Sequence, residues 1–427
     1  MKGLSDIVSI FKNIKKLWND KEYKNVYVPF IWHGFFLGLT MSMIELNTVL
    51  PNLISELTKN NITFGTLYSI MLGAPLLFNL LFSHYLVRFP FKKKFLLLGI
   101  YLRSISFLGM AIVTFLFAKN NPIIALGAFY LLILLFSLSG GFAGIAYSDL
   151  IGKLLPSQKR PGLFALRQIF SSLASLIGGV IVTRIFMPGS FTFPLNYSIS
   201  MAIGCLGLIV GAFGFWMIKE PNSEINTTVE KREGIFESTF KILKEDRAFL
   251  KFIIVENITS FSLMILPFYM VFVKNTFADY KSYFGAYVIA QLSGVILSNF
   301  LWGIISKRLG TSTLLKVCIL TGASIPLIAI LLKPMGALWY ALVFLLVGVI
   351  TSGRNMGFEP YLLDLAPGDK RTVYLGIRGT LNILMVLLPV AGGFFIDKLG
   401  YFTTFAIVSA VMILAFILFQ HKPVSKT

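Results

Sequence analysis

The chain has 427 residues, 56% of them hydrophobic and only 13% charged, with 41 Phe. A water-soluble protein of this length needs far more charge to cover its surface, so the composition points to the bilayer. The net charge of +19 does not signal nucleic acid, because the basic residues are dispersed between apolar runs rather than gathered on a soluble fold.

In chain order, residues 4–18 come first. Leu4, Ile7, Val8, Phe11, Ile14, Leu17 and Trp18 share one helical stripe, with Lys12, Lys15 and Lys16 beside or opposite it. This predicts an interfacial amphipathic helix within residues 1–24, suited to an anionic membrane face. Asp6 and the lack of a small-residue cleavage site speak against a removed targeting peptide. Spans of roughly 20 apolar residues are needed to cross the hydrocarbon. They fall at about 27–51, 64–87, 94–118, 122–151, 163–187, 197–218, 250–273, 284–306, 312–332, 337–363, 373–396 and 401–420. The predicted fold is therefore an all-α integral membrane protein of twelve transmembrane helices in two six-helix bundles, residues 25–218 and 250–421. A charged linker at 219–249 joins them, with a surface helix carrying Ile235, Phe236, Phe240 and Leu243, and a tail at 422–427 follows. Cys205 and Cys318 both lie inside apolar spans, which argues against a disulfide framework or a metal site.

Lys and Arg set the orientation. With the N-terminus inside, 27 of the 38 fall in inner segments and seven in outer ones. Both termini are expected in the cytoplasm, in a plasma or inner membrane.

Two internal repeats support the two bundles. Pro156, Lys159, Arg160 and Arg167 recur at the same spacing as Pro367, Lys370, Arg371 and Arg378. Gly65, Asn79, Ser83 and Arg88 align with Gly285, Asn299, Gly303 and Arg308. Each half begins on the same side, so the repeat is parallel. For so apolar a chain, tandem halves point to a transporter with substrate held between them.

The hairpin after the second span holds Ser83, Val87, Arg88, Pro90 and Lys92, and its second copy holds Gly303, Lys307, Arg308 and Gly310. With twelve spans, a six-plus-six duplication and a charged central loop, the chain resembles the major facilitator superfamily. Its hairpin motif is degraded here: the basic positions survive and the acid is lost from both copies. The resemblance implies alternating access, with spans 1, 4, 7 and 10 lining a central cavity. Gly178-Gly179 and Gly392-Gly393 read as sites of close helix packing.

Polar groups inside spans are costly, so those present should face water or one another. Glu45 and Asn47 in the first span, Glu256 in the seventh, and Arg354, Asn355 and Glu359 in the tenth form the candidate substrate and coupling-ion cavity. Asn79, Asn299, Gln291 and Asn382 can also line a cavity or equally bond a neighbouring helix. A carboxylate at such depth favours its protonated form unless a cation lies close, which makes Glu45 and Glu359 candidates for proton coupling. A structural ion pair or hydrogen bond is the competing reading for Glu45. Arg354 is expected to anchor an anionic substrate or to hold Glu359 or Glu45 ionised. Arg88, Asp149, Arg160, Arg167, Arg308, Asp364, Arg371 and Arg378 form a candidate cytoplasmic gate. In it Asp149 pairs with Arg88 or Arg167, and Asp364 with Arg308 or Arg378. Arg103, in mid-span, needs a partner such as Asp149 or Glu45.

The expected function is secondary active transport of a small organic molecule, coupled to a proton or another ion, in a monomer embedded in lipid. Acids outnumber Arg354 among the candidates, which tilts the expectation toward efflux of an amphipathic or cationic compound. Uptake or exchange of an anionic metabolite is the alternative, and a non-transporting sensor or scaffold is the alternative of another class. There is no Gly-Lys-Ser or Gly-Lys-Thr phosphate loop, no two-histidine metal motif and no Gly-x-Ser-x-Gly turn, so neither an enzyme nor a cofactor is expected.

Overall fold

Backbone immersed in hydrocarbon must satisfy its own donors and acceptors, and the long apolar runs accordingly fold as helices. The computed structural model describes residues 21–156, 159–221, 241–367 and 371–420. The predicted amphipathic stripe at 4–18, most of the charged linker, Lys370 and the tail at 422–427 lie outside them. Among the described residues there is no strand, and nine helical stretches are long and apolar enough to cross a membrane.

The first half contains α1 (Lys21–Met43), α2 (Val49–Leu57), α3 (Asn61–Val87), α4 (Lys93–Phe117), α5 (Pro122–Leu154), α6 (Arg160–Phe186) and α7 (Leu195–Trp216). The second contains α8 (Arg247–Thr259), α9 (Phe261–Ile265), α10 (Phe268–Thr276), α11 (Tyr280–Leu331), α12 (Tyr340–Leu365), α13 (Arg371–Leu381) and α14 (Leu388–Gln420). The spans expected at 284–306 and 312–332 run together as α11, which bends at Gly310, where φ is +85°. α14 bends likewise at Gly400, φ +77°. Only glycine takes that conformation without strain, so these two residues turn the chain between successive spans.

Three predicted spans are broken rather than continuous. The first, expected unbroken over 27–51, is interrupted between Met43 and Val49. Within the break the Glu45 carboxylate accepts from Asn47 N–H and from the Thr48 hydroxyl, both at 2.8 Å, which draws those groups away from the helical ladder. The seventh is interrupted at Ser260 and again at Leu266 and Pro267. There the Thr259, Ser260 and Ser262 hydroxyls bond carbonyls three or four residues back, and Pro267 has no N–H to donate. The eleventh passes through a 3₁₀ segment, Asn382–Leu387, just before Pro389.

The halves meet along α3 with α14, α6 with α11, and α2 with α10. The paired glycines of the second repeat lie in this seam. A Cβ on Gly65 would lie 2.2 Å from the Pro389 carbonyl oxygen of α14, and one on Gly285 would lie 2.3 Å from Thr183 of α6. Gly392 and Gly393 press on the Met264 and Asn61 carbonyls, and Gly178 on Ser42, so the paired glycines do serve close packing.

Candidate functional site

Polar side chains converge where the spans are broken. Loss of the helical ladder leaves backbone groups to satisfy, and partially unwound helices are where transporters bind solutes and ions. A cavity of about 330 Å³ lies there. Asn47 comes to it from the first span's break, Tyr68 and Leu72 from α3, Glu256 from α8, and Arg354, Asn355 and Phe358 from α12, with Arg378 and Asn382 completing the wall. Four of the six cavity residues read from the sequence, Asn47, Glu256, Arg354 and Asn355, therefore line one space. Glu45 lies beside Asn47 in the break, and the Glu359 side chain is 61% exposed.

The partners differ from those expected. Arg354 holds neither Glu359 nor Glu45. It donates to the Thr259 carbonyl at 3.1 Å and to the Ser260 hydroxyl at 3.0 Å, closing the open end of α8, and lies over the Phe358 ring at 4.9 Å. The carbonyl freed by the break competes for the guanidinium, and run counts along a sequence do not register it. Glu256 is taken by Arg378, which donates from Nε at 2.9 and 3.0 Å and from a terminal nitrogen at 2.7 Å. This is a fork-to-fork pair with the carboxylate buried. Glu359 sits 3.7 Å from the same arginine.

Glu45 is buried and, among the described residues, has no cation paired with it. Besides Asn47 and Thr48, it accepts from the Gln291 side-chain amide on α11 at 2.5 Å, a bond that crosses from one half to the other. The Gln291 carbonyl oxygen and the Tyr68 hydroxyl, both buried, have no hydrogen-bond partner among the described residues.

The gate pairs also rearrange. Asp149 pairs with Lys92 at 2.9 Å and Lys153 at 3.0 Å rather than with Arg88 or Arg167, and Lys153 continues to Glu220 at 2.8 Å. Lys153 is one helical turn from Asp149, so local geometry wins. This network joins the first half to the start of the linker. Asp364 accepts from Thr311 at 2.7 Å rather than from Arg308 or Arg378. Arg160 caps the carbonyls of Leu155 and Gly152. Arg88 and Arg308 are exposed, with no ion pair among the described residues, and the Arg371 side chain lies outside them. Arg103 has no carboxylate partner either. It rests on the Phe136 ring at 4.4 Å and donates to the Met41 sulfur, while its Nε is buried and unbonded.

The closure that does form is one the sequence reading missed. At the end of the molecule opposite Arg88 and Arg308, Lys274 of α10 pairs with Glu56 of α2 at 2.8 Å and donates to the Ser55 hydroxyl at 3.0 Å. Asn61 donates to Asp397 at 2.6 Å. Both contacts join the halves. At the other end neither Arg88 nor Arg308 forms an ion pair between the halves among the described residues. The available signal was an acid and a base near the corresponding ends of the first and seventh spans.

An all-helical membrane protein whose broken spans surround a cavity with polar side chains in its wall, and whose halves bond to each other at one end, has the architecture of a solute transporter. Residues 31–382 match the family model described as Major Facilitator Superfamily, and the chain belongs to that superfamily. It is a family of transporters, not of enzymes. Among solved structures it is similar to the nucleoside transporter NupG, at TM-score 0.67 and 14% identity over 93% of this chain and 100% of that one. It is also similar to a D-xylose-proton symporter, at 0.67 and 14% over 94% and 98%. A third is a POT family transporter in complex with a thioalcohol-conjugated peptide, at 0.67 and 11% over 92% and 94%. Among curated proteins, none matches the chain.

Proposed function

We propose that this protein is a secondary active transporter that carries a small organic molecule by alternating access, with protonation of Glu45 as the coupling event. The two six-helix bundles, 25–218 and 250–421, rock about the seam marked by Gly65 and Gly285. The linker at 219–249 and both termini are on the cytoplasmic side, as the Lys and Arg distribution argues. The conformation described here is then inward-facing. The cavity that carries this reading is flanked by broken spans, with Glu56 and Lys274 paired between the halves across one end.

Glu45 suits coupling because its environment can serve both protonation states. Ionised, it accepts from Asn47, Thr48 and Gln291. Protonated, it can donate to the unbonded Gln291 carbonyl oxygen once that amide turns over. The two states hold the halves together with different strength, and a two-state equilibrium can be biased through that difference. The resemblance to a proton symporter supports the same reading.

The acid excess that favoured a cationic cargo is smaller in the folded protein. Asp149 is bound by two lysines, Glu256 by Arg378, and Glu359 is largely exposed. That favours the second reading, uptake or exchange of an anionic metabolite, over efflux of a cation. In proteoliposomes with an imposed pH gradient, accumulation of a solute that collapses with the gradient is the expected result. Tight ligand binding with no flux under any gradient would instead identify a sensor.

A further inference from the structure

The two copies of the first repeat end in the same arginine, but the halves treat it differently. Arg378 faces Glu256 of α8 and is neutralised by it. Arg167 faces α1 at Gly34, where a Cβ would stand 2.5 Å from its Cγ, so position 34 offers it no side chain. Its guanidinium lies over the Tyr147 ring at 5.0 Å, its Nε is buried without a hydrogen bond, and no carboxylate among the described residues pairs with it. Arg103 is in the same condition on the Phe136 ring, and the Tyr147 hydroxyl is a third buried group without a partner.

These groups share one face of α5, because Phe136, Gly140, Gly144 and Tyr147 recur at helical spacing. Gly144 leaves open space on this face, and Gly140 faces Arg103. A Cβ at Gly140 would lie 3.6 Å from the Arg103 guanidinium carbon, and one at Gly144 would meet nothing within 4 Å. His33, buried on α1, lies within electrostatic reach of both arginines and brings no negative charge. Two uncompensated guanidinium groups at membrane depth are costly, and aromatic faces offset only part of that cost.

We propose that Arg167 and Arg103 form a binding site for the carboxylate or phosphate group of a small soluble anion, which supplies the charge that Glu256 supplies in the other half. Guanidinium forks pair with two oxygens of such groups, and the Tyr147 hydroxyl can donate to a further oxygen of a phosphate. This deepens the transport reading by naming the substrate class, and it rests on that reading. The two can still fail separately. Anion binding without flux would remove transport and leave this site, whereas flux of a neutral solute without anion binding would do the reverse.

The test uses the purified full chain in uncharged detergent at constant sodium chloride. Succinate and glycerol 3-phosphate are the probes, with succinamide and glycerol as uncharged counterparts. The anions are expected to raise the thermal midpoint and to titrate, and the uncharged counterparts to do neither. Arg167→Gln and Arg103→Gln should each weaken anion binding at least about tenfold, with partial recovery in Arg167→Lys. Without ligand, Arg167→Gln should keep its midpoint, while Arg378→Gln, which strands Glu256, should lose stability. Equal stabilisation by the uncharged compounds, or none by either anion, would overturn the proposal. So would an unliganded Arg167→Gln as unstable as Arg378→Gln, which would make Arg167 structural. Stabilisation by dihexanoylphosphatidylglycerol alone would assign the site to a lipid headgroup and would equally overturn it.

Discussion

Gly65→Leu is expected to push the transporter out of the conformation described here. The nearest atom to a new Cβ is the Pro389 carbonyl oxygen, at 2.2 Å, followed by the Pro389 carbonyl carbon and Val390 Cα at 2.7 and 2.9 Å. All are backbone atoms of the other half and cannot rotate away. Ordinary contact begins at 3.4 Å, so α3 and α14 must separate by more than 1 Å at this point. Overpacking of this kind costs about 1–3 kcal/mol. Only the state in which the seam is closed at Gly65 bears that cost, so the equilibrium should move about 5- to 150-fold toward the opposite state. Spin labels at Lys59 and Lys398 report on the closed end, and labels at Lys94 and Leu309 report on the other. The first distance should lengthen and the second shorten in the Leu variant. Gly127→Ala, where an added Cβ meets nothing within 4 Å, should leave both unchanged. Unaltered distances in Gly65→Leu, with the protein folded, would refute the rocking seam.

The remaining expectations concern charge. Glu45→Gln should fold and still exchange substrate down its gradient but lose accumulation driven by a pH gradient; undiminished accumulation would remove Glu45 from coupling. Lys274→Ala and Glu56→Ala should each open the same end as Gly65→Leu, with a double-mutant coupling of about 1 kcal/mol for a pair that is only partly buried. Additive effects on the spin-label distances would deny that the pair acts as a latch. Glu256→Gln should lower thermal stability by about 3–5 kcal/mol by stranding Arg378, whereas Glu359→Gln, at an exposed side chain, should change it little. Similar midpoints for the two variants would contradict the assignment of Glu256 as the partner of Arg378.

The sequence carries the architecture in its long-range regularities. Gly65 and Gly285 are recognisable as a pair by their spacing alone, and both turn out to be points where the halves touch. Arg167 and Arg378 are likewise a visible pair. Their different partners are not visible, because Gly34 and Glu256 face them only once the helices pack. The breaks at 44–48 and 260–267 escape hydropathy, since Leu46, Leu263 and Ile265 keep the runs apolar while Glu45, Thr259 and Ser260 redirect the backbone. Arg354 illustrates the consequence: its partner is a carbonyl that exists as a free acceptor only because α8 ends there. Clusters of basic residues mark where the chain faces the cytoplasm. They do not mark which end of the cleft is closed.

Alternating exposure of one cavity is tested most directly at Asn355, which lines it and is exposed. Cys205 and Cys318 are buried, so a cysteine at 355 in a background with both replaced gives one reporter in sealed, oriented vesicles. A membrane-impermeant maleimide should label it from the face bearing Arg88 and Arg308. When Gly65→Leu is added, labelling should transfer to the face bearing Glu56 and Lys274. Labelling from the same face in both proteins would contradict the account.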